Sequence, residues 1–353
     1  MNYSRLRKYS ILFIAAVSIL YASSKVYPGL DGMTGMTAGI AGETPSSEGS
    51  DAQGAEAVVE SGKNPIVLFC PEDNCGTNLE YLINNSRKAD CAFFDLDLDN
   101  VVSALEMRGD NARVVVDADN HDESWEENFR KDDRSAYMHN KFCVFDSSMV
   151  WTGSMNPTRN GDERNNNNAV IIFSENIASN YEDEFMELWK GEFGSGPRTA
   201  RPETRINSIS IETYFCPEDY CANRVMEELD KADESIYFMT FSFTHDKIGD
   251  LLVRKQDSGV EVKGVFEKRQ NSRYSEYKKL SSAGLEVRFD GNPYMMHHKT
   301  FIIDNRTVIT GSFNPTMSGD TRNDENIVII TDRGIAQEFT GEFNGIYNRA
   351  GSD

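Results

Sequence analysis

The chain is short of positive charge. Its 353 residues carry 36 Lys and Arg against 57 Asp and Glu, a formal net charge of −21. Affinity for a polyanion backbone comes mostly from Lys and Arg, so a general polyanion binder is excluded, whereas a local basic pocket for one phosphate is not. Long apolar runs are missing from the body. No stretch of about 20 apolar residues occurs there, which excludes a multi-pass membrane protein. Histidine is scarce, five residues in all, so each can be weighed individually. What is present, 39% hydrophobic and 26% charged residues, suffices for a sizeable core and excludes wholesale disorder. The length accommodates one large domain or two of ordinary size.

Arg5, Arg7 and Lys8 precede an apolar stretch from about Ile11 to Ala22. At roughly 12 residues it matches the apolar region of a signal peptide and is short for a membrane span. Ala22 and Ser24 are small enough for cleavage after Ser24. Residues 1–27 are therefore expected to be a signal peptide or an uncleaved signal anchor. Both place the body outside the cytoplasm, secreted or tethered to the membrane by this one segment. No Cys follows the apolar run, which speaks against a lipoprotein anchor. Residues 28–63 are rich in Gly, Ala, Ser, Thr and Glu and contain no aromatic residue, the composition of a flexible tether.

The body is an internal duplication. Met138–Ile172 and Met296–Ile330 align without a gap at an offset of 158, with 19 of 35 positions identical. The run Phe69-Cys70-Pro71-Glu72-Asp73-Asn74-Cys75 returns as Phe215-Cys216-Pro217-Glu218-Asp219-Tyr220-Cys221. The repeats span residues 64–200 and 205–353 and are expected to face each other across a pseudo-two-fold axis, a dimer within one chain and hence a monomer. Each alternates strand and helix signals, which predicts an α/β sandwich with a mixed sheet between helices. In the second repeat, strands are predicted at 209–215, 235–243, 260–266, 285–289, 299–303, 307–310 and 327–330. Helices are predicted at 223–232, 247–256 and 334–347.

Cys70/Cys75 and Cys216/Cys221 share one spacing at the start of each repeat. In an exported chain two local disulfides are expected; a four-Cys zinc site is the alternative and requires the two turns to meet. Cys91 and Cys143 fall on predicted strands and read as buried thiols, with a third disulfide left open.

The chemistry lies in a motif that occurs twice. His139, Lys141 and Asp146 precede Gly153-Ser154-Met155-Asn156; His297, Lys299 and Asp304 precede Gly311-Ser312-Phe313-Asn314. On a strand, residues two apart share a face, so each His and Lys point the same way. An imidazole is a competent nucleophile near neutral pH, and a second, protonated imidazole can donate to a leaving oxygen and then activate water. Lysine and asparagine can hold the charge on the phosphate oxygens.

This H-x-K-x4-D-x6-G-S-x-N pattern resembles the signature of the phospholipase D superfamily, and the resemblance covers the whole body, about 290 residues. It implies a duplicated phospholipase D-like fold: two mixed β-sheets flanked by helices, with the active site between them. It implies a catalytic set of His139, Lys141, Asp146, His297, Lys299 and Asp304, with Asp146 and Asp304 holding strand and loop. Ser154, Asn156, Ser312 and Asn314 would bind the substrate phosphate. No metal or other cofactor is implied. In two-motif relatives the first His is usually the nucleophile and the second the acid and base, which carries over as His139 and His297. Family members often carry a Glu that orients a His, matched here by Glu325 in Asn323-Asp324-Glu325-Asn326; the first repeat has Asn167 instead. A carboxylate raises the basicity of its partner, so a pairing of Glu325 with His297 would favour His297 as nucleophile. The usual assignment is kept beside that alternative.

Other polar groups read as structural. Asp95, Asp97 and Asp99 alternate with leucines as on a solvated strand face, and Asp117–Asp122 reads as a polar loop. His245 follows an aromatic strand, and His298 should point away from the site. Segment 117–134 is acidic and its counterpart 267–280 basic, with Tyr274 and Tyr277 interleaved, so one rim is expected to be negative and the other positive. Tyr137, Met138, Tyr294, Met295 and Met296 flank the histidines. The substrate expected is a phospholipid, cleaved through a phosphohistidine by an extracytoplasmic phosphodiesterase. The alternative is a nucleic-acid phosphodiester, cut by a secreted or membrane-tethered endonuclease of the same superfamily.

Overall fold

The computed structural model describes Val26, Leu30 and residues 57–351. The expected signal segment, Val26 aside, and most of the expected tether lie outside the described residues. In chain order the first half contains β1 (Val58–Glu60), β2 (Ile66–Cys70), α1 (Cys75–Asn85), β3 (Ala89–Phe93), α2 (Asp99–Arg108), β4 (Ala112–Asp117), β5 (Phe129–Asp132), β6 (Lys141–Phe145), β7 (Met149–Gly153), α3 (Arg159–Glu163), β8 (Asn167–Phe173) and α4 (Glu175–Lys190). The second contains β9 (Glu203–Ile206), β10 (Ile209–Cys216), α5 (Cys221–Asp230), β11 (Ser235–Thr240), α6 (Asp246–Asp257), β12 (Glu261–Phe266), α7 (Tyr277–Ser282), β13 (Glu286–Phe289), β14 (Lys299–Ile303), β15 (Thr307–Gly311), α8 (Met317–Thr321), β16 (Glu325–Thr331) and α9 (Arg333–Arg349).

Two mixed sheets result, in the orders β2-β8-β7-β6-β3-β4-β5 and β1-β9-β10-β16-β15-β14-β11-β12-β13. The motif strands β6 and β14 are central, each antiparallel to both neighbours. All five residues of each are buried, because side chains on both faces of the sheet meet packed layers. α4 and α9 pack between the sheets: Tyr181, Phe185, Phe339 and Phe343 share one core with Phe142 of β6 and Ile302 of β14. Two further cores lie on the outer faces, one under α1 and α2, the other under α5, α6 and α7. Ser174 and Asp332 cap α4 and α9 by accepting from the N–H groups of Ile177 and Ile335.

Three features depart from the sequence expectations. Val58–Glu60, expected in the tether, pairs in parallel with β9 and so joins the second half's sheet; a three-residue edge strand carries too little pattern to stand out from its surroundings. Residues 94–98 are a loop and not a strand face. Leu96 and Leu98 are buried, and Asp97 accepts from the Arg159 N–H at the start of α3 at 2.8 Å. Cys91 and Cys143 are not thiols. The register of β3 and β6 sets them directly opposite, with Cα atoms 4.0 Å apart, and they form a disulfide. Cys70–Cys75 and Cys216–Cys221 form the two local disulfides expected.

Candidate active site

The histidines precede β6 and β14 and are fixed by the opposite half. The His139 N–H donates to Asp324 O, and the Asp324 N–H returns to Tyr137 O, both at 2.9 Å. In the twin position the His297 N–H donates to Asn166 O at 2.8 Å, and the Asn166 N–H to Met295 O at 2.9 Å. Two short parallel bridges thus hold the two histidine motifs together across the pseudo-two-fold.

The side chains cross over in the same way. His139 Nδ1 lies 2.7 Å from Glu325 Oε2. His297 Nδ1 lies 3.0 Å from Asn167 Oδ1 and 3.1 Å from Ser154 O. All of these partners accept, so each Nδ1 carries the proton and each Nε2 is left as the free nitrogen. Glu325 therefore serves the histidine of the other repeat, and the alternative that joined it to His297 is corrected. The reason is that β8 and β16 each begin at the junction, where their first side chain reaches across it.

The serines complete this crossed arrangement. Ser312 Oγ donates to Glu325 Oε2 at 2.8 Å and accepts from the Asn326 N–H. Ser154 Oγ donates to Asn167 Oδ1 at 3.3 Å and accepts from the Asn168 N–H. Both hydroxyls are thus engaged with the groups that orient the rings. Lys141 Nζ donates to His139 O at 2.6 Å and Lys299 Nζ to His297 O at 2.8 Å. Asn156 and Asn314 are half-buried at the ends of the loops after β7 and β15, and the Oδ1 atom of each is buried without a partner.

Asp146 and Asp304 are placed elsewhere, roughly 20 Å along the strand from the histidines. Both have φ 52° in the hairpin turn. Asp146 accepts from the Lys88 N–H; Asp304 accepts from the N–H groups of Asp233, Glu234 and Ser235. They tie each hairpin to the neighbouring strand, as the resemblance implied, and their inclusion in the catalytic set is corrected. His298 points away and bonds Asn168 and Glu342. His245 is buried at the start of α6, its Nε2 3.8 Å from Asp320.

Burial governs the site's protonation. It holds His139 and His297 well below the usual imidazole value, with Lys141 and Lys299 adding to the effect. It pulls Lys141 down to about 7 and Lys299 well below the usual lysine value. Glu325 is pushed up to about 8 by burial, against the pull of Lys141, so its full negative charge develops as the ring beside it becomes positive.

Phe94 and Phe241 are site residues absent from the sequence expectations. Their rings lie 4.8 Å from His139 and 4.6 Å from His297, with Lys141 and Lys299 over their faces. They occupy matching places just past β3 and β11, at an offset of 147 and not 158, so the ungapped alignment does not reach them. The positive rim is weaker than expected. Tyr277 stacks on Phe289, Lys279 pairs with Asp250 and Glu276, and Tyr274 alone of the two tyrosines is exposed. Met138 and Met296 are core, whereas Tyr137 and Tyr294 are each 44% exposed.

A family model described as cardiolipin synthase, PLD-like domain, matches residues 86–189 and 225–347, one stretch around each motif. The chain belongs to the phospholipase D superfamily. Among curated proteins, a phospholipase D of Rickettsia typhi is 34% identical over 149 residues, 40% of this chain and 73% of that protein. A mitochondrial cardiolipin hydrolase of Chlamydomonas reinhardtii is 31% identical over 127 residues, 36% of this chain and 57% of that protein. Each of these matches has about the length of one repeat. The phosphatidylserine synthase of Haemophilus influenzae Rd KW20 shares the fold over 81% of this chain and 87% of its own, at 13% identity and a TM-score of 0.61. Membership makes this chain a phospholipase D-like phosphodiesterase with two mixed sheets flanked by helices.

Proposed function

We propose that the protein hydrolyses the headgroup phosphodiester of phosphatidyl lipids outside the cytoplasm, without a metal, through a phosphohistidine on His139. The observation that carries the assignment is the crossed pairing: Glu325 on His139, Asn167 on His297. A carboxylate behind Nδ1 increases the electron density at Nε2 and stabilises the positive charge that grows as the ring bonds phosphorus. A neutral amide does this less, which leaves His297 the better proton donor.

In the first step His139 Nε2 bonds to phosphorus, the bond from phosphorus to the headgroup oxygen breaks, and His297, which takes up a second proton at Nε2 when the anionic phosphate binds, passes that proton to the oxygen. In the second step His297 takes a proton from water, the water oxygen bonds to phosphorus, and the P–N bond breaks to give phosphatidic acid. Lys141, Lys299, Asn156 and Asn314 surround the phosphoryl oxygens. The rickettsial and algal relatives, named for phospholipase D and cardiolipin hydrolase, support a lipid substrate. Three disulfides support an oxidising compartment.

The test is headgroup release from phospholipid vesicles in EDTA, with single- and double-stranded DNA in parallel and His139→Ala as control. Lipid turnover lost in the variant, with a phosphorylated His139 trapped by rapid acid quench, is expected. DNA cleavage with lipids intact would favour an endonuclease, and full activity of His139→Ala would remove the catalytic assignment.

A further inference from the structure

A cavity of about 100 Å³ opens beside His297, and aspartate and asparagine side chains make up most of its polar lining. Asp95 and Asp97 contribute carboxylates. Asn165 is 5% exposed, and its Oδ1 has no hydrogen-bond partner; Asn156 Oδ1 is likewise buried and unpartnered. Asp95 is half-buried and forms no ion pair among the described residues, while the charge of Lys141 acts on it. The other half differs at the matching positions. Thr244 and His245 donate to Pro315 O as Asp97 and Leu98 donate to Pro157 O, so Ser242 and Thr244 stand where Asp95 and Asp97 stand. Carboxylates thus line the cavity beside His297, and the second half carries none at the matching positions.

We infer that this cavity is the headgroup subsite and that it selects a leaving alcohol bearing a primary ammonium group, as in phosphatidylethanolamine. The inference rests on the lipid reading above and on His297 as the proton donor, since the group that leaves must lie on the donor's side of phosphorus. Buried acceptors with no donor are costly, and an ammonium supplies three N–H donors together with the charge that two carboxylates lack. Quaternary ammonium groups have no N–H and are held by aromatic faces, of which this cavity has none. A serine headgroup would bring its own carboxylate against Asp95 and Asp97. A polynucleotide would bring further phosphates there.

The experiment uses the full chain on vesicles of phosphatidylethanolamine, phosphatidylcholine and phosphatidylglycerol in equal parts, with each released headgroup quantified by mass spectrometry. Ethanolamine should be released about tenfold or more faster than glycerol, the effect of one hydrogen-bonded charge pair. Asp95→Ser copies the residue that the second half carries at this place and should bring the ethanolamine-to-glycerol ratio to within about threefold of unity. Because the ratio is internal to one vesicle, a general loss of activity does not move it. Should Asp95→Ser prove inactive, Asp97→Asn is read in the same way. Glycerol released as fast as ethanolamine by the unaltered protein, or a ratio indifferent to both substitutions, overturns the subsite while leaving the lipid reading intact. Release of no headgroup, with DNA cut instead, overturns both.

Discussion

His139 and His297 have the same sequence surroundings and nearly the same burial, and one side chain separates them. Glu325→Gln keeps the shape of the contact to His139 and removes its charge. It should lower kcat by about 10²–10⁴-fold, the range for losing an acid–base partner of a catalytic imidazole, and far more than Asn167→Ala. Steady-state kinetics on a soluble phosphodiester would separate the two. The pH dependence has a definite sign. In the proposed mechanism the nucleophile must be unprotonated, so the rate rises as pH passes the His139 value. The acid must be protonated, so the rate falls as pH passes the His297 value. Burial lowers both, while a bound phosphate favours the protonated forms. The bell for kcat/KM, which reports the free protein, should therefore lie at lower pH than the bell for kcat. Coincident bells would show that substrate charge leaves the pair untouched.

The loops after β7 and β15 depend on their glycines. Gly153 has φ 146°, and a Cβ there would sit 2.4 Å from Asn168 O; Gly311 has φ 142° and would meet Asn326 O at 2.3 Å. Asn168 and Asn326 directly follow the residues that hold the histidines. Gly153→Ala should cost roughly 2 kcal/mol from the unfavourable backbone and the clash, and shift β8 away from His297. Urea denaturation together with kcat would register both. The cross-strand disulfide acts on the same half. It closes a sequence separation of 52 residues. Replacing Cys91 and Cys143 with Ala should lower stability by about 4 kcal/mol on the loop-entropy estimate, while the hydrogen bonds of His139 persist. Denaturation with unchanged activity at low denaturant is the expected outcome.

Neither half contains a complete site, because each histidine takes the partners of its backbone N–H and its ring Nδ1 from the other. The pseudo-two-fold then allows the roles to be exchanged. Glu325→Asn with Asn167→Glu moves the carboxylate from His139 to His297. The doubly substituted protein should be more active than Glu325→Asn alone, and the phosphoryl group trapped by acid quench should move to His297. Phosphohistidine still found on His139 would show that more than this carboxylate sets the direction. The asymmetry of Asp95 and Asp97 against Ser242 and Thr244 acts the same way at the level of the cleft, giving the two sides different charge.

Much of this was legible along the chain. The repeated motif singled out His139, Lys141, His297 and Lys299, and local alternation placed ten elements of the second half within a few residues while missing the short β9, α7 and α8, since both signals depend only on near neighbours. The Cys70–Cys75 and Cys216–Cys221 bridges were legible because they close within a single turn. Contacts across the fold were not. That Cys91 meets Cys143 depends on sheet register, that Val58–Glu60 joins the far sheet depends on an edge left open by β9, and that Asp95 and His297 line one cavity depends on where a loop docks. The choice between the two histidines belongs with these. Equal motifs made them interchangeable in the linear text, and the exchange of Glu325 and Asn167 across the junction separated them, because a side chain at the start of a strand reaches what lies beyond the strand's end and not what lies beside it in sequence.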